Sequence, residues 1–304
     1  MNKCCTNCNK SKNISEFHKE TKGKFGVRSI CKICRQDIAE KYREKLRVKK
    51  GTLSNKTKIS DKIGRLFLTV EGYKVEIINC TAYKKCSIKF EDGFILHNIN
   101  YNDIEKGTVK NPYHKSVYGI GYIGFGFYDS KKDYKIYKRW NGSLERCYSA
   151  ERQKRQPTYI EVTVCEEWHN FQNFAKWHEE NWKEYMVGWD LDKDILVKGN
   201  KIYSPKTCCF VPKQINSLFV KNNINRGEYP IGVSLSSKEN KFSSFIRKDN
   251  KTIFLGYFDT PEEAFQAYKI AKESYIKEVA DKWRGQITEQ TYEAMYNYKV
   301  EITD

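Results

Sequence analysis

Two Cys-x-x-Cys pairs, Cys5 with Cys8 and Cys31 with Cys34, stand 22 residues apart near the amino terminus and constrain this chain more than any other feature. Two thiolate knuckles at this spacing can close tetrahedrally on one zinc ion, and four protein sulfurs leave no open position for water, so the expected zinc is structural. Lys3, Lys10, Lys12, Lys32 and Arg35 crowd the pairs, a field that favours the metal-binding thiolate. Cys4 adjoins the motif and is an alternative to Cys5 as ligand, and four unmetallated surface thiols are the bland alternative to the whole site.

The cysteine count is 11, which is odd, and the chain runs to 304 residues, so a disulfide scaffold fits poorly and a reducing, cytoplasmic setting fits better. No run approaches the ~20 apolar residues of a spanning helix, and the start MNKCCTNCNK lacks a signal-peptide core. The expectation is no membrane association.

Charge points to a polyanionic partner. The formal net charge is +17, and Met1 to Lys62 holds 18 Lys and Arg against 6 Asp and Glu, a net of +12. Lysine and arginine gain affinity by displacing counterions from phosphates, so nucleic acid is the expected ligand and residues 1–62 its electrostatic anchor.

With 39% apolar residues, several modest cores are expected rather than one large one, and an α+β, multi-module chain follows. In the zinc-binding module of residues 1–50, Asp37 is placed to cap a helix with Ala39, Tyr42 and Leu46 on one side and Lys41, Arg43, Lys45 and Arg47 on the other. Residues 51–62, rich in Ser, Thr, Asn and Lys, read as a linker. Residues 63–128 form a β-rich module of short β-branched and aromatic runs, LFLTV, YKVEII, KCSIKF and FILHNI, separated by turns. Its last stretch, NPYHKSVYGIGYIGFGF, lacks the lysine and strand-turn-helix context of a phosphate loop, so its glycines are assigned to packing and bulges. His97 and His114 receive no role.

Residues 129–222 hold the order of a ββα unit: a strand Trp189 to Leu196, a turn at Lys198-Gly199-Asn200, a short strand to Tyr203, and a helix from near Pro212. Trp140, Arg146, Cys147, Val164, Cys165, Trp168, Tyr203 and Pro205 match a phage-borne pattern upstream of and within it. This segment resembles the HNH homing endonucleases. The resemblance implies an acidic residue followed by a general base on the first strand, matched by Asp192 and Lys193, with Thr207 at the family's asparagine. It also implies a magnesium or other divalent ion near Asp192 if the centre cuts DNA. Lysine accepts a proton near neutral pH only when strongly desolvated, so Lys193 is equally a phosphate clamp, together with Lys201. Cys147, Cys165, Cys208 and Cys209 contain no CxxC pair and are expected to be buried. Trp168, Phe171, Ala175 and Trp182 form a helical stripe, with His169 and His178 expected off it and exposed.

Residues 226–304 begin with three short strand runs, turn at SSKEN and KDNK, and end in a long amphipathic helix capped by Thr260 with Pro261 and Glu263. Ala264, Tyr268, Ala271 and Tyr275 are expected to face the sheet. Gly232-Val233, Lys241, Ile246-Arg247, Leu255-Gly256-Tyr257-Phe258, Thr260, Glu262-Glu263-Ala264 and Ala267-Tyr268 resemble the APETALA, or ethylene-response-factor, domain, with Ser234 and Phe242 where that family has arginine and tryptophan. The resemblance implies a three-stranded sheet that enters the major groove of DNA. Arg226 to Tyr257 has 6 Lys and Arg against 3 Asp and Glu, whereas Phe258 to Asp304 has 6 against 10, so the sheet is expected to face DNA. Lys241 and Arg247 are the candidate groove contacts, and Lys238, Lys248 and Lys251 the candidate phosphate contacts.

The parts together predict a protein that binds double-stranded DNA, with a centre that is either an HNH-type nuclease or a non-catalytic clamp. RNA fits the charge but not a sheet built for the B-form groove.

Overall fold

The computed structural model describes residues 1–21, 24–51, 59–220 and 228–303, with side chains of 42–51 and 59–60 outside the description. Most of the expected linker and Arg226 therefore lie outside the described residues, as do the side chains of Tyr42, Arg43, Lys45, Leu46 and Arg47. The chain mixes helix and sheet and divides into two compact units, Met1–Val109 and Lys110–Asp304.

The first unit opens with two small antiparallel hairpins, β1 (Asn2–Cys4) with β2 (Ser11–Asn13) and β3 (Phe17–Lys19) with β4 (Val27–Cys31), followed by helix α1 (Lys32–Gly51). Their core is little more than Phe17, Val27 and the cysteines Cys5, Cys31 and Cys34. So small an apolar core is the usual companion of a staple or a metal. Helix α1 starts straight from β4, so Asp37 lies exposed inside the helix rather than at its cap, contrary to the sequence expectation.

A four-stranded antiparallel meander follows, β5 (Leu66–Leu68), β6 (Lys74–Cys80), β7 (Cys86–Phe90) and β8 (Ile95–Ile99), closed by the short helix α2 (Tyr101–Glu105). Alternation selects its buried face: Val75 and Ile77 on β6 and Cys86, Ile88 and Phe90 on β7 point inward, while Lys74, Glu76 and Lys89 point out. Cys80 and Cys86 face each other in the β6–β7 register and are joined as a disulfide, which the sequence reading had not expected. Lys62, assigned to the linker by sequence, is buried here, its ammonium 4.0 Å from the Tyr83 ring centre and 3.2 Å from that of Tyr101.

The second unit begins at Lys110, so residues 110–128 fall with it and not with the meander to which the sequence reading attached them. Helices α3 (Tyr134–Tyr148) and α5 (Phe171–Asn181) build a first core of Trp140, Leu144, Trp168, Phe171 and Phe174, while the intervening α4 (Ala150–Arg155) buries no side chain. The glycine-rich stretch packs on it: a Cβ at Gly121 would run into the Leu144 and Trp140 side chains. His178 is buried, not exposed as expected, because the Arg139 guanidinium donates to its Nε2 at 2.7 Å and Trp182 stacks on its ring. Burial, with Arg139 adding to it, holds the His178 imidazole down at about 4.

The remaining elements are β9 (Thr163–Val164), β10 (Asp190–Asp192), β11 (Ile202–Tyr203), β12 (Cys209–Val211), α6 (Lys213–Phe219), β13 (Val233–Ser236), β14 (Lys241–Lys248), β15 (Lys251–Phe258), α7 (Pro261–Trp283) and α8 (Glu289–Tyr296). Strands β13, β14 and β15 make the expected antiparallel sheet. Thr260 and Glu263 form the expected capping box of α7, and Ala264, Tyr268 and Tyr275 are buried with Ala271 packed beside them. Gly232 has φ +78° and lies so close to the Tyr268 ring that no side chain fits there. One core joins Phe210, Val211 and Ile215 of the β12–α6 segment to Ile246, Phe265, Ile276 and Val279 of the sheet and α7. The two carboxy-terminal segments that the sequence divides near residue 222 are thus fused through a common interior. Among the described residues, no helix is long and apolar enough to cross a membrane.

Candidate metal centre and nucleic-acid interface

The four cysteines are gathered by two local structures. Between β1 and β2 the chain reverses tightly: Asn9 N–H donates to the Cys5 carbonyl at 2.9 Å with Asn9 at φ +57°, and Cys5 N–H donates to the Lys10 carbonyl at 3.0 Å. The second pair sits at a strand-to-helix junction, Cys31 ending β4 and Cys34 in the first turn of α1. All four sulfurs lie within 4.8 Å of one another, so they can bind a metal such as zinc. The edge of a tetrahedron with zinc–sulfur bonds of about 2.3 Å is about 3.8 Å, so only small side-chain adjustments separate this cluster from a closed site.

Electrostatics favours thiolate at Cys5, whose sulfur accepts the Cys31 backbone N–H at 3.3 Å; this bond, with others from the Cys8 and Asn7 backbone, brings the thiol down to about 6 against the opposing effect of burial. Lys12 feels the Cys31 sulfur, whereas Lys3 and Lys32 spend their ammonium groups on backbone carbonyls of Lys24, Val27 and Ser15. Cys4 is exposed and stands outside the cluster. Among the described residues, no other group of three or more His, Cys, Asp or Glu side chains converges in this way. Cys147, Cys208 and Cys209 are buried as expected, whereas Cys165 is half-buried.

The ββα order is present with different strands from those read off the sequence. β10 pairs antiparallel with β12, Leu191 opposite Phe210, and α6 follows directly from Pro212. The expected strand to Leu196 ends at Asp192, because the Asp192 Oδ1 accepts the backbone N–H of Asp194 at 2.7 Å and of Ile195 at 2.8 Å and so turns the chain. The expected second strand, ending at Tyr203, pairs in parallel with β9 instead.

These pairings fix what Asp192 and Lys193 can do. Burial raises the Asp192 carboxyl above the ordinary range despite the two N–H donors. The Lys193 side chain is buried, its ammonium held by the Asp194 carboxylate and by the Asn200 carbonyl at 3.1 Å. Asp194 lies beyond the end of β10. Thr207 donates to the Ile202 carbonyl and belongs to the loop scaffold. Lys201 is exposed and within 3.4 Å of the Glu161 carboxylate.

Three residues without an assigned role share this cleft of about 210 Å³ with Asp192 and Lys193: Asp190, Asn216 and Arg146. Asn216 of α6 donates to Asp190 Oδ2 at 3.0 Å, and Arg146 donates to the Tyr203 hydroxyl at 3.3 Å. Asn216 could have been found as the polar neighbour of the apolar Ile215 in a short helix, had the β10–β12 pairing been foreseen. Arg146 was visible only as part of the upstream pattern.

On the carboxy-terminal sheet, cross-strand register sorts the side chains into two faces. Val233, Phe242, Ser244, Ile246 and Lys248 turn toward α7; Ser234, Lys241, Ser243, Phe245 and Arg247 turn away, joined on β15 by Thr252, Phe254 and Tyr257. Lys241 and Arg247 are exposed on this outer face, Lys241 lying 2.9 Å from Asp259. Lys238 and Lys251 are exposed at the ends of the turns. Lys248 departs from the expected outward position: it pairs with Glu278 of α7 at 2.5 Å and lies over the Tyr275 ring. Phe242 also faces the helix side, against Tyr229, and takes no part in the outer face. The chain matches no family model, no curated protein and no solved structure.

Proposed function

We propose that this chain is a double-stranded DNA-binding protein in which a zinc-stapled basic head and the outer face of the carboxy-terminal sheet grip the duplex, and in which the HNH-like ββα segment is a clamp rather than a nuclease. The observation that carries this is the placement of Lys241 and Arg247 together on the solvent face of β14, opposite the helix that fills the core. Zinc at Cys5, Cys8, Cys31 and Cys34 is the structural ion of the head, matching a donor set of four sulfurs. A non-catalytic centre is supported by Lys193, whose buried ammonium is engaged within its own loop and is offered neither to water as a base nor to a phosphate, which leaves the exposed Lys201 as the cation of the clamp. Fluorescence anisotropy with a labelled random duplex tests the DNA-binding claim, and a chain that ignores duplex DNA at low salt ends it.

A second reading, a magnesium-dependent HNH endonuclease, draws on the presence of Asp190, Asp192, Asn216 and Arg146 in one cleft. Nicking of supercoiled plasmid that requires magnesium and disappears in Asp192→Asn would favour it over the clamp.

A further inference from the structure

A cleft of about 690 Å³ runs between α6, the β14–β15 turn and α7, and its charge is one-sided: Lys213, Arg247, Lys272 and Lys282 line it against a single carboxylate, Asp249. That carboxylate is already engaged, accepting the Tyr275 hydroxyl at 3.0 Å and the Gln214 amide at 3.3 Å. Lys282 donates to the neutral Gln214 oxygen at 3.3 Å, which leaves its charge uncompensated. Lys213, Arg247 and Lys272 have no acidic partner among the described residues.

Lys272 is the telling member. Its side chain is half-buried, and burial alone lowers its ammonium below the ordinary lysine range, with no carboxylate to restore it. A partly desolvated cation is unfavourable until an anion meets it. Guanidinium and ammonium groups around one concavity match the several oxygens of a phosphate, Arg247 supplying paired donors and the lysines point charges. Nothing in the DNA-binding proposal uses Lys213, Lys272 or Lys282.

We propose that this cleft is a phosphate-binding site, with Lys272 at its base and Lys213, Arg247 and Lys282 around it, that takes either a backbone phosphate of nucleic acid or a free phosphate ligand. In its nucleic-acid form it rests on the DNA-binding proposal and adds a second contact surface beside the outer face of the sheet, with Arg247 common to both.

Calorimetric titration of the full chain with pyrophosphate is the direct test. Binding is expected in the wild type, at least tenfold weaker in Lys272→Met, retained in Lys272→Arg, and unchanged in Lys154→Met on α4. Melting separates a ligand site from a structural role: Lys272→Met is expected to melt no lower than the wild type, and pyrophosphate to raise the melting temperature of the wild type but not of Lys272→Met. No pyrophosphate binding by the wild type, equal binding by Lys272→Met, or a marked loss of stability in that variant would overturn the proposal. Displacement of pyrophosphate by duplex DNA assigns the site to backbone phosphate. Pyrophosphate binding without DNA binding keeps the cleft as a free-phosphate site and removes the DNA-binding proposal. DNA binding without pyrophosphate binding does the reverse.

Discussion

At the amino-terminal site the four candidate ligands come as two pairs, each set by a local structure of a few residues, and the fold has only to bring a turn and a strand end together. At the central ββα segment the candidate ligand Asp192 and its neighbours Asp190 and Asp194 come from one short stretch, and each is claimed by the protein itself: Asp190 by Asn216, Asp192 by two backbone N–H groups, Asp194 by Lys193. The difference is one of competition. A thiolate has few partners to satisfy it other than a metal, whereas a carboxylate near a turn is readily consumed by backbone donors and neighbouring cations.

The largest effect is expected where metal and fold are one. Cys31→Ser removes a ligand from a core made mostly of ligands, so metal content should drop from one zinc per chain to near zero, with the loss of on the order of 10 kcal/mol of metal-linked folding free energy in the head. Elemental analysis and the cobalt–thiolate absorption band report it; a variant that keeps one ion per chain would move the site elsewhere. Next comes Trp140→Ala, which empties a fully buried position and strips the Trp168 carbonyl of its 2.7 Å donor, at about 3–5 kcal/mol in urea unfolding of the second unit.

His178 gives the pH dependence of that unit. Its folded value of about 4 lies below its unfolded value near 6.5, so the unfolded chain takes up the proton first. Stability is then full above about pH 6.5 and falls by about 2–3 kcal/mol as the pH drops toward 4. Urea midpoints of His178→Gln should lack this component, and an unchanged pH profile would remove His178 as its source. The smallest change is expected at the contrasting site: Asp192→Ala loses two turn hydrogen bonds, worth about 1 kcal/mol, while Asp192→Asn, which keeps an acceptor oxygen, should be near neutral and leave DNA affinity unaltered.

What could be seen in the sequence divides along the same line. The CxxC pairs, the Thr260–Glu263 capping box and the buried face of α7 depend on residues within a few positions of one another, and they stand where spacing put them. The partner of β10 could not be read this way, since Cys209–Val211 and the Tyr203 strand are both short and apolar, and only tertiary packing of Phe210 and Val211 into the core with α7 chooses between them. Burial of His178 and Lys193 was hidden for a related reason: each depends on a partner, Arg139 in one case and the Asn200 carbonyl in the other, that sequence distance conceals. Lys241 and Arg247 were singled out by resemblance and charge, whereas strand alternation, which puts both on one face, turns Lys248, one residue on, the other way.

The most direct measurement is the salt dependence of duplex binding for the wild type and for Lys241→Met/Arg247→Met, by anisotropy across rising monovalent salt. The proposal predicts a steep inverse dependence in the wild type and, with the two groove contacts removed, a double variant that binds more weakly at each salt concentration. Wild-type binding that is indifferent to salt, or a double variant that binds as the wild type does, would contradict it.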